Sequence, residues 1–215
     1  MSATLIRSVL AVMLAAGLSA CQTNEPTGLG TLGTASDDFE IAAGRDPSPD
    51  SLNAVARLCL SQGRIEEAQA ALHRILEQDP QFVPAYEELA QSYAASGMIE
   101  SAVTVLNMGL QQAPDDPVLL NDLGMCQLLQ HDYDTALQSF TLAAAGAPSD
   151  ARCRANMAVA LGLLGRVDEA LALYMQVLPP ADAHWNVGVL SAAISNATRA
   201  QAEFAASGKP IPIAE

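Results

Sequence analysis

The sequence is short of aromatic residues and almost without lysine. Phe, Tyr and Trp make up 4% of its 215 residues, although half of the chain is hydrophobic, with Ala and Leu dominant. Because β-sandwich strands are rich in aromatic and β-branched side chains, this composition favours packed helices instead. Lys209 is the only lysine, and the formal net charge is −14. Such a chain lacks the basic surface that binds phosphate backbones, so we expect no nucleic-acid partner; a positively charged protein surface fits better.

The sequence also lacks the common catalytic motifs. It contains no GxSxG, no HExxH and no phosphate-binding P-loop. His73, His131 and His184 lie far apart, with no carboxylate or cysteine at the spacing of metal ligands. Acidic pairs such as Glu66-Glu67 and Glu87-Glu88 are typical of solvated helix starts. We therefore predict no catalytic residue, no metal site and no cofactor, and expect that the protein is not an enzyme.

The N-terminus has the layout of a secretory signal peptide. Arg7 precedes a short apolar run that ends in Leu18-Ser19-Ala20-Cys21. This run is well short of the ~20 apolar residues that span a bilayer. The final four residues resemble the lipobox of bacterial lipoproteins, which implies cleavage after residue 20 and lipid attachment to Cys21. With Gln22 next and not Asp, the resemblance implies the outer membrane, facing the periplasm; an ordinary signal peptide with an incidental Cys21 is the alternative.

Residues 21–48 change to Thr, Gly, Ser, Pro and Asp, which predicts a flexible tether. Its root-mean-square reach would be roughly 30 Å. The only helical pattern that it contains is a short stretch, DDFEIAAG, over residues 37–44.

An internal repeat of 34 residues follows the tether. In each unit a recurring Ala precedes a large apolar residue by four positions, and a recurring Pro comes after them. These landmarks are Ala68, Ala102, Ala136 and Ala170, with Pro80, Pro114 and Pro148. Over residues 49–180 the pattern resembles the tetratricopeptide repeat in four units. The resemblance implies an all-α, right-handed superhelical solenoid over residues 49–206, followed by a disordered tail over residues 207–215.

The fourth unit ends early, at Pro179-Pro180, about four residues before the repeat predicts. We therefore expect four repeats, a shortened helical turn and one closing helix from Asp182 to about Ala206, giving about nine helices. That closing helix has a polar outer face, as the end of a solenoid requires for solubility.

The tetratricopeptide resemblance also implies a concave groove, lined by the first helix of each repeat, that binds a peptide. The chaperone-binding members hold a carboxylate with Lys and Arg, and the missing lysines disfavour that ligand here. Trp185, the only tryptophan, either lines the groove or packs the closing helix. By the phase of the repeat, the groove residues are Asn53, Arg57, Glu87, Gln91, Asn121, Met125, Leu128, Asn156, Val159, Trp185 and Val189.

Three cysteines remain after Cys21. Cys59 takes a buried first-helix position and is expected to act as a small hydrophobic residue. Cys126 and Cys153 lie on the first helices of neighbouring repeats, which makes a disulfide between them a candidate. Free thiols in both are the alternative.

The run RANMAVALGLLGRVDEALALY and the later ADAHWNVGVL resemble TadD, a lipoprotein family of tight-adherence (Flp) pilus assembly. The pilotin group PilF and PilW has a similar layout. These resemblances imply a scaffold that helps secretin or other pilus-assembly components to assemble. The alternative is a general periplasmic adaptor similar to NlpI, which docks proteases or cell-wall hydrolases at the membrane. Self-association through the solenoid ends is a further expectation.

Overall fold

The computed structural model describes residues 47–209, which form ten α-helices and no strand. None of these helices is long and apolar enough to cross a membrane. The predicted signal peptide, Cys21 and most of the predicted tether and tail lie outside the described residues. The helices are α1 (Pro49–Ser61), α2 (Ile65–Gln78), α3 (Val83–Ala95), α4 (Ile99–Gln112), α5 (Pro117–Leu129), α6 (Tyr133–Gly146), α7 (Ala151–Leu163), α8 (Val167–Val177), α9 (Pro180–Ala193) and α10 (Ala197–Ser207).

Consecutive helices pack in pairs, so the ten helices form five hairpins stacked in chain order. The first helices also contact one another directly, α3 with α5, α5 with α7 and α7 with α9. The first helices from α3 to α9 therefore lie side by side. The predicted all-α repeat solenoid is confirmed.

The first helices begin where the sequence supplies a proline, a polar cap or both. The carboxylate of Asp116 accepts hydrogen bonds from the backbone N–H groups of Val118 (2.9 Å) and Leu119 (3.0 Å). Asp150 accepts one from Arg152 N–H at 2.8 Å. These bonds satisfy backbone donors that have no partner inside the helix, and Pro117 needs none because it lacks the N–H.

The turn inside each hairpin requires a left-handed backbone. Gly63, Gly97 and Gly165 supply it with φ between 72° and 81°, while His131 and Ser195 adopt φ of 64° and 62°. The first four positions are spaced by 34 residues and the last by 30. The shortened fourth unit is therefore followed by a complete fifth hairpin.

The expected single closing helix is wrong, because the chain from Asp182 to Ala206 forms two helices, α9 and α10. The break falls at Ser195, which has a positive φ, a backbone conformation that glycine adopts most readily. Asn196 then caps α10, accepting a hydrogen bond from Arg199 N–H at 3.2 Å. The described part of the chain thus has five helical pairs where the sequence predicted four and a cap.

Each hairpin is held together where a small residue of the first helix meets a large residue of the second. The pairs lie at equivalent repeat positions, and in two of them the small residue is glycine, Gly124 with Phe140 and Gly188 with Phe204. A Cβ atom on Gly124 would lie 2.6 Å from Phe140 Cε1, and one on Gly188 would lie 2.8 Å from Phe204 Cδ1. The other small residues are Ala56, Ala90 and Ala158, opposite Leu72, Leu106 and Tyr174, all buried.

We predict that Gly124→Ala destabilises the fold by about 1–3 kcal/mol, since Phe140 is fully buried and has no room to move away. Gly146→Ala is the matched control. There the added Cβ would meet only ordinary contacts, at 3.4 Å or more, and Ala is the better helix former by up to about 1 kcal/mol. Urea unfolding measures both; equal midpoints for the two variants would contradict the close-approach interpretation.

Candidate functional site

The first helices place a row of polar side chains along one side of the solenoid. We call this row the first-helix face. It consists of the predicted groove residues that remain at least partly exposed, which are Asn53, Arg57, Glu87, Gln91, Asn121, Met125, Asn156 and Trp185.

Three of the predicted groove residues do not belong to this face. Leu128 is 1% exposed and lies in the core beside Ala136 and Phe140. Val159 and Val189 are likewise buried, at 8% and 6% exposure. These three apolar side chains lie in the hydrophobic core, whereas the other eight predicted residues remain at least partly exposed.

Hydrogen bonds join the first-helix face across three neighbouring hairpins. Gln91 Nε2 donates to Glu87 Oε1 at 3.1 Å and to Asp122 Oδ2 at 3.0 Å, which connects α3 to α5. Asn156 Nδ2 donates to Asn121 Oδ1 at 2.8 Å, which connects α5 to α7. The amide groups thus align side chains on different repeats into one row.

Two further residues, Glu88 and Asp122, also belong to the first-helix face, although they are not among the predicted groove residues. Glu88 Oε1 lies 3.7 Å from Arg57 Nε, and the other oxygen, Oε2, is buried without a hydrogen-bond partner. Asp122 also accepts a hydrogen bond from Asn121 Nδ2 at 3.4 Å. The 34-residue spacing from Glu88 through Asp122 to Asn156 is the signal that would have found them.

Burial makes the carboxylates of this face harder to ionise than usual. Burial, with the nearby Asp122 charge as a second cause, raises the pKa of Glu87 above its ordinary value. Burial also raises the pKa of Glu88, against a lowering effect from Arg57. The pKa of Asp122 is raised by burial too, although the Gln91 hydrogen bond opposes this. A ligand that brought hydrogen-bond donors or positive charge would favour the ionised forms.

Trp185 lies at the far end of the face and also packs the last hairpin. Its half-buried ring packs against the cluster of Val189, Ala200 and Phe204. The Lys209 ammonium lies 5.9 Å from the ring centroid, within cation–π range. Trp185 therefore contributes to closing the solenoid, whichever ligand it meets.

His184 has a carboxylate partner that its sequence spacing did not reveal. Its Nδ1 lies 2.6 Å from Oε2 of Glu203, which is 5% exposed. Glu203 Oε1 lies 2.6 Å from Arg199 Nε, an ion pair by distance without hydrogen-bond alignment, and Arg199 Nη2 reaches Asp168 at 2.7 Å. This network ties together α8, α9 and α10. Within residues 47–209, no group of three or more His, Cys, Asp and Glu side chains could hold a metal ion.

The structure holds Cys126 and Cys153 as separate buried thiols and does not contain the candidate disulfide. The residue 34 positions after Cys126 is Ala160, seven residues beyond Cys153. Seven residues correspond to about 10 Å along a helix, whereas a disulfide needs Cα atoms within about 7 Å. Burial raises the pKa of the Cys126 thiol to about 11, which leaves it protonated and slow to oxidise.

Comparison with known proteins agrees with this geometry. The family model of the tetratricopeptide repeat matches residues 42–121 and 127–186. The chain belongs to the tetratricopeptide-repeat family. Proteins of this family generally act as protein–protein interaction scaffolds and are typically non-catalytic. Among curated proteins, none matches the sequence.

Solved tetratricopeptide-repeat structures share the fold. YrrB, described as a TPR protein with an unusual peptide-binding site, is 25% identical with a TM-score of 0.60, over 73% of this chain and 83% of its own. MamA from Desulfovibrio magneticus RS-1 is 20% identical with a TM-score of 0.64, over 74% of this chain and 93% of its own. Another MamA structure is 17% identical with a TM-score of 0.60, over 71% and 92%. The MamA proteins are similar in fold alone.

We predict that Asp122→Asn stabilises the protein at pH 7. The raised pKa means that the folded chain holds this proton more tightly than the unfolded chain, so stability falls as the pH rises from the ordinary Asp value, about 4, through the raised one. The amide abolishes that loss, and Asn already occupies the equivalent positions 156 and 186.

Thermal unfolding across pH tests this. The advantage of the variant should be largest at neutral pH and vanish below about pH 4. Asp115→Asn, an exposed loop position, is the control and should show no such trend. An advantage that does not depend on pH would contradict the assignment to Asp122 ionisation.

Proposed function

We propose that this protein is a lipid-anchored scaffold of the bacterial outer membrane that binds segments of partner proteins along the first-helix face, in assembling a Tad/Flp-type pilus or secretion machine. The observation that carries the binding role is the hydrogen-bonded row of acceptors from Glu87 to Asn156. It runs across several repeats, on the side where an extended segment could follow the solenoid.

Charge favours a partner segment that carries basic side chains. The chain has a net charge of −14, and Glu87, Glu88 and Asp122 lie close together on the face. The cations near them are Arg57, which lies 3.7 Å from Glu88, and Arg152, whose charge acts on Asp122. A Lys or Arg of a ligand would complement these carboxylates, and the opposite charges would raise the association rate of the ligand at low salt. Half-buried Met125 beside them offers an apolar contact.

The cellular site and the machine rest on the sequence resemblances. Leu18-Ser19-Ala20-Cys21 supports lipid attachment and the periplasmic side of the outer membrane. The two TadD-like runs correspond to most of α7, α8 and α9. Assistance to secretin or other pilus-assembly components is therefore the preferred role.

Cys21→Ser should release the protein from the membrane, because several acyl chains at ~0.8 kcal/mol per buried methylene provide the anchor. Fractionation of cells expressing each form measures this. A Cys59→Ser variant, altered at a buried thiol far from the N-terminus, should remain in the membrane fraction if it folds. Membrane retention of Cys21→Ser would contradict lipid anchoring.

The double variant Glu87→Gln/Asp122→Asn should weaken binding of basic segments roughly tenfold, a change of about 1.4 kcal/mol. The probe is a panel of synthetic peptides of equal length and apolar content that carry net positive, zero or negative charge. Glu66→Gln/Glu100→Gln, two exposed acidic residues on α2 and α4, is the matched control because it removes the same charge elsewhere. Equal weakening by both variants would show a general charge effect and contradict a site on this face.

Affinity purification from the native host tests the machine. We expect secretin or pilus components to copurify, and deletion of the gene to reduce secretin multimers and piliation. Recovery of proteases or cell-wall hydrolases with normal piliation would instead favour the NlpI-like adaptor.

A further inference from the structure

The first helix of the solenoid exposes an apolar face whose equivalents in the later repeats are buried or partly buried. On α1, Val55 is 49% exposed and Leu58 is 55% exposed, and their spacing of three places them on one side of the helix. The residues 34 positions later, Leu89 and Ser92, are 1% and 3% exposed. There the second helix of the preceding hairpin lies against these positions, since Gln69 Nε2 of α2 donates a hydrogen bond to Ser92 Oγ at 3.1 Å, and Leu72 belongs to the same core cluster as Leu89.

The opposite end of the solenoid has no such face. The residues that α10 exposes are small or polar, namely Ala197, Thr198, Gln201, Ala202, Ala205 and Ala206. The C-terminal end of the solenoid therefore has the non-sticky outer surface that a terminal repeat requires for solubility. Among the described residues, the open stacking surface is therefore the one on α1.

The sequence directly before α1 repeats the spacing of a second helix. In the described hairpins, Ala68 is followed by Leu72 after four residues, by Ile75 after seven and by Pro80 after twelve. The same intervals separate Ala35 from Phe39, Ala42 and Pro47. The interval of twelve also holds from Ala102 to Pro114 and from Ala136 to Pro148.

Two further observations favour this segment as the cover for α1. The family model begins to match at residue 42, before the first described residue, Pro47. Residues 35–46 are also joined to α1 by only two residues, so their local concentration at its surface is in the millimolar range or above. A second copy of the chain would have to compete with this local concentration to bind the same surface.

We propose that residues 35–46 act as the second helix of a preceding half-repeat and cover α1, with Phe39 seated against Val55 and Leu58. The chain itself then closes the open end of the solenoid. The flexible connection to the anchor would then consist of residues 21–34 only, with a reach of about 20 Å instead of about 30 Å. This consequence rests on the proposed anchor at Cys21, whereas the docking does not.

Hydrogen exchange read by mass spectrometry, on the full chain in mild detergent, tests the docking with a matched pair of variants. Phe39→Asp places a charge at the proposed contact. Ile41→Asp makes the same change at a position whose equivalents, Arg74 and Met108, are exposed. We expect Phe39→Asp to speed exchange in α1 about tenfold or more, and Ile41→Asp to leave it unchanged, with α5 unaffected in both.

Equal exchange of α1 in the parent chain and Phe39→Asp would overturn the proposal. So would protection of α1 that grows with protein concentration alongside a dimer in light scattering, because a second copy would then be the cover. If Phe39→Asp disturbs α5 as well, Phe39→Ala provides the same comparison with a milder change, and unchanged α1 exchange in that variant again overturns the proposal.

Discussion

The fold depends on one contact repeated five times, in which a small residue of a first helix lets a large residue of the second helix approach its backbone. Where the large residue is Phe140 or Phe204, the small one is glycine, since even a methyl group would overlap the ring. Where it is leucine or tyrosine, alanine suffices. Because this contact fixes how each hairpin closes, it also fixes which side of each first helix remains open.

That constraint determines what the protein can present to a partner. Leu128 and Val159 are buried in a core that both helices of the hairpins share, while polar residues such as Gln91, Asn121 and Asn156 remain at least partly exposed. The amides of Gln91, Asn121 and Asn156 then span adjacent helices and orient the carboxylates beside them. An acceptor-rich surface follows from the repeat geometry without any dedicated loop, which suits recognition of an extended segment better than chemistry at a single point.

Periodicity predicted the all-α repeat fold and the helices of its first four repeats. It failed where a tertiary contact or an unusual turn decided the outcome. Ser195 carries no sequence signal for a left-handed turn, so the sequence predicts one helix where the structure has a hairpin. Cys126 and Cys153 lie on neighbouring first helices, α5 and α7, but about two helical turns apart in repeat position. The 34-residue spacing alone is enough to show this offset. The contact between His184 and Glu203 could be found only from the structure, since 19 residues separate them in the sequence.

The central claim is that partners bind the first-helix face, and site-specific photo-crosslinking in the native host tests it most directly. A photoreactive residue replaces Gln91, exposed on the first-helix face, or Leu142, which is 58% exposed on second helix α6. The account predicts a discrete crosslinked partner from position 91 and none from position 142. A partner captured only from position 142 would contradict it.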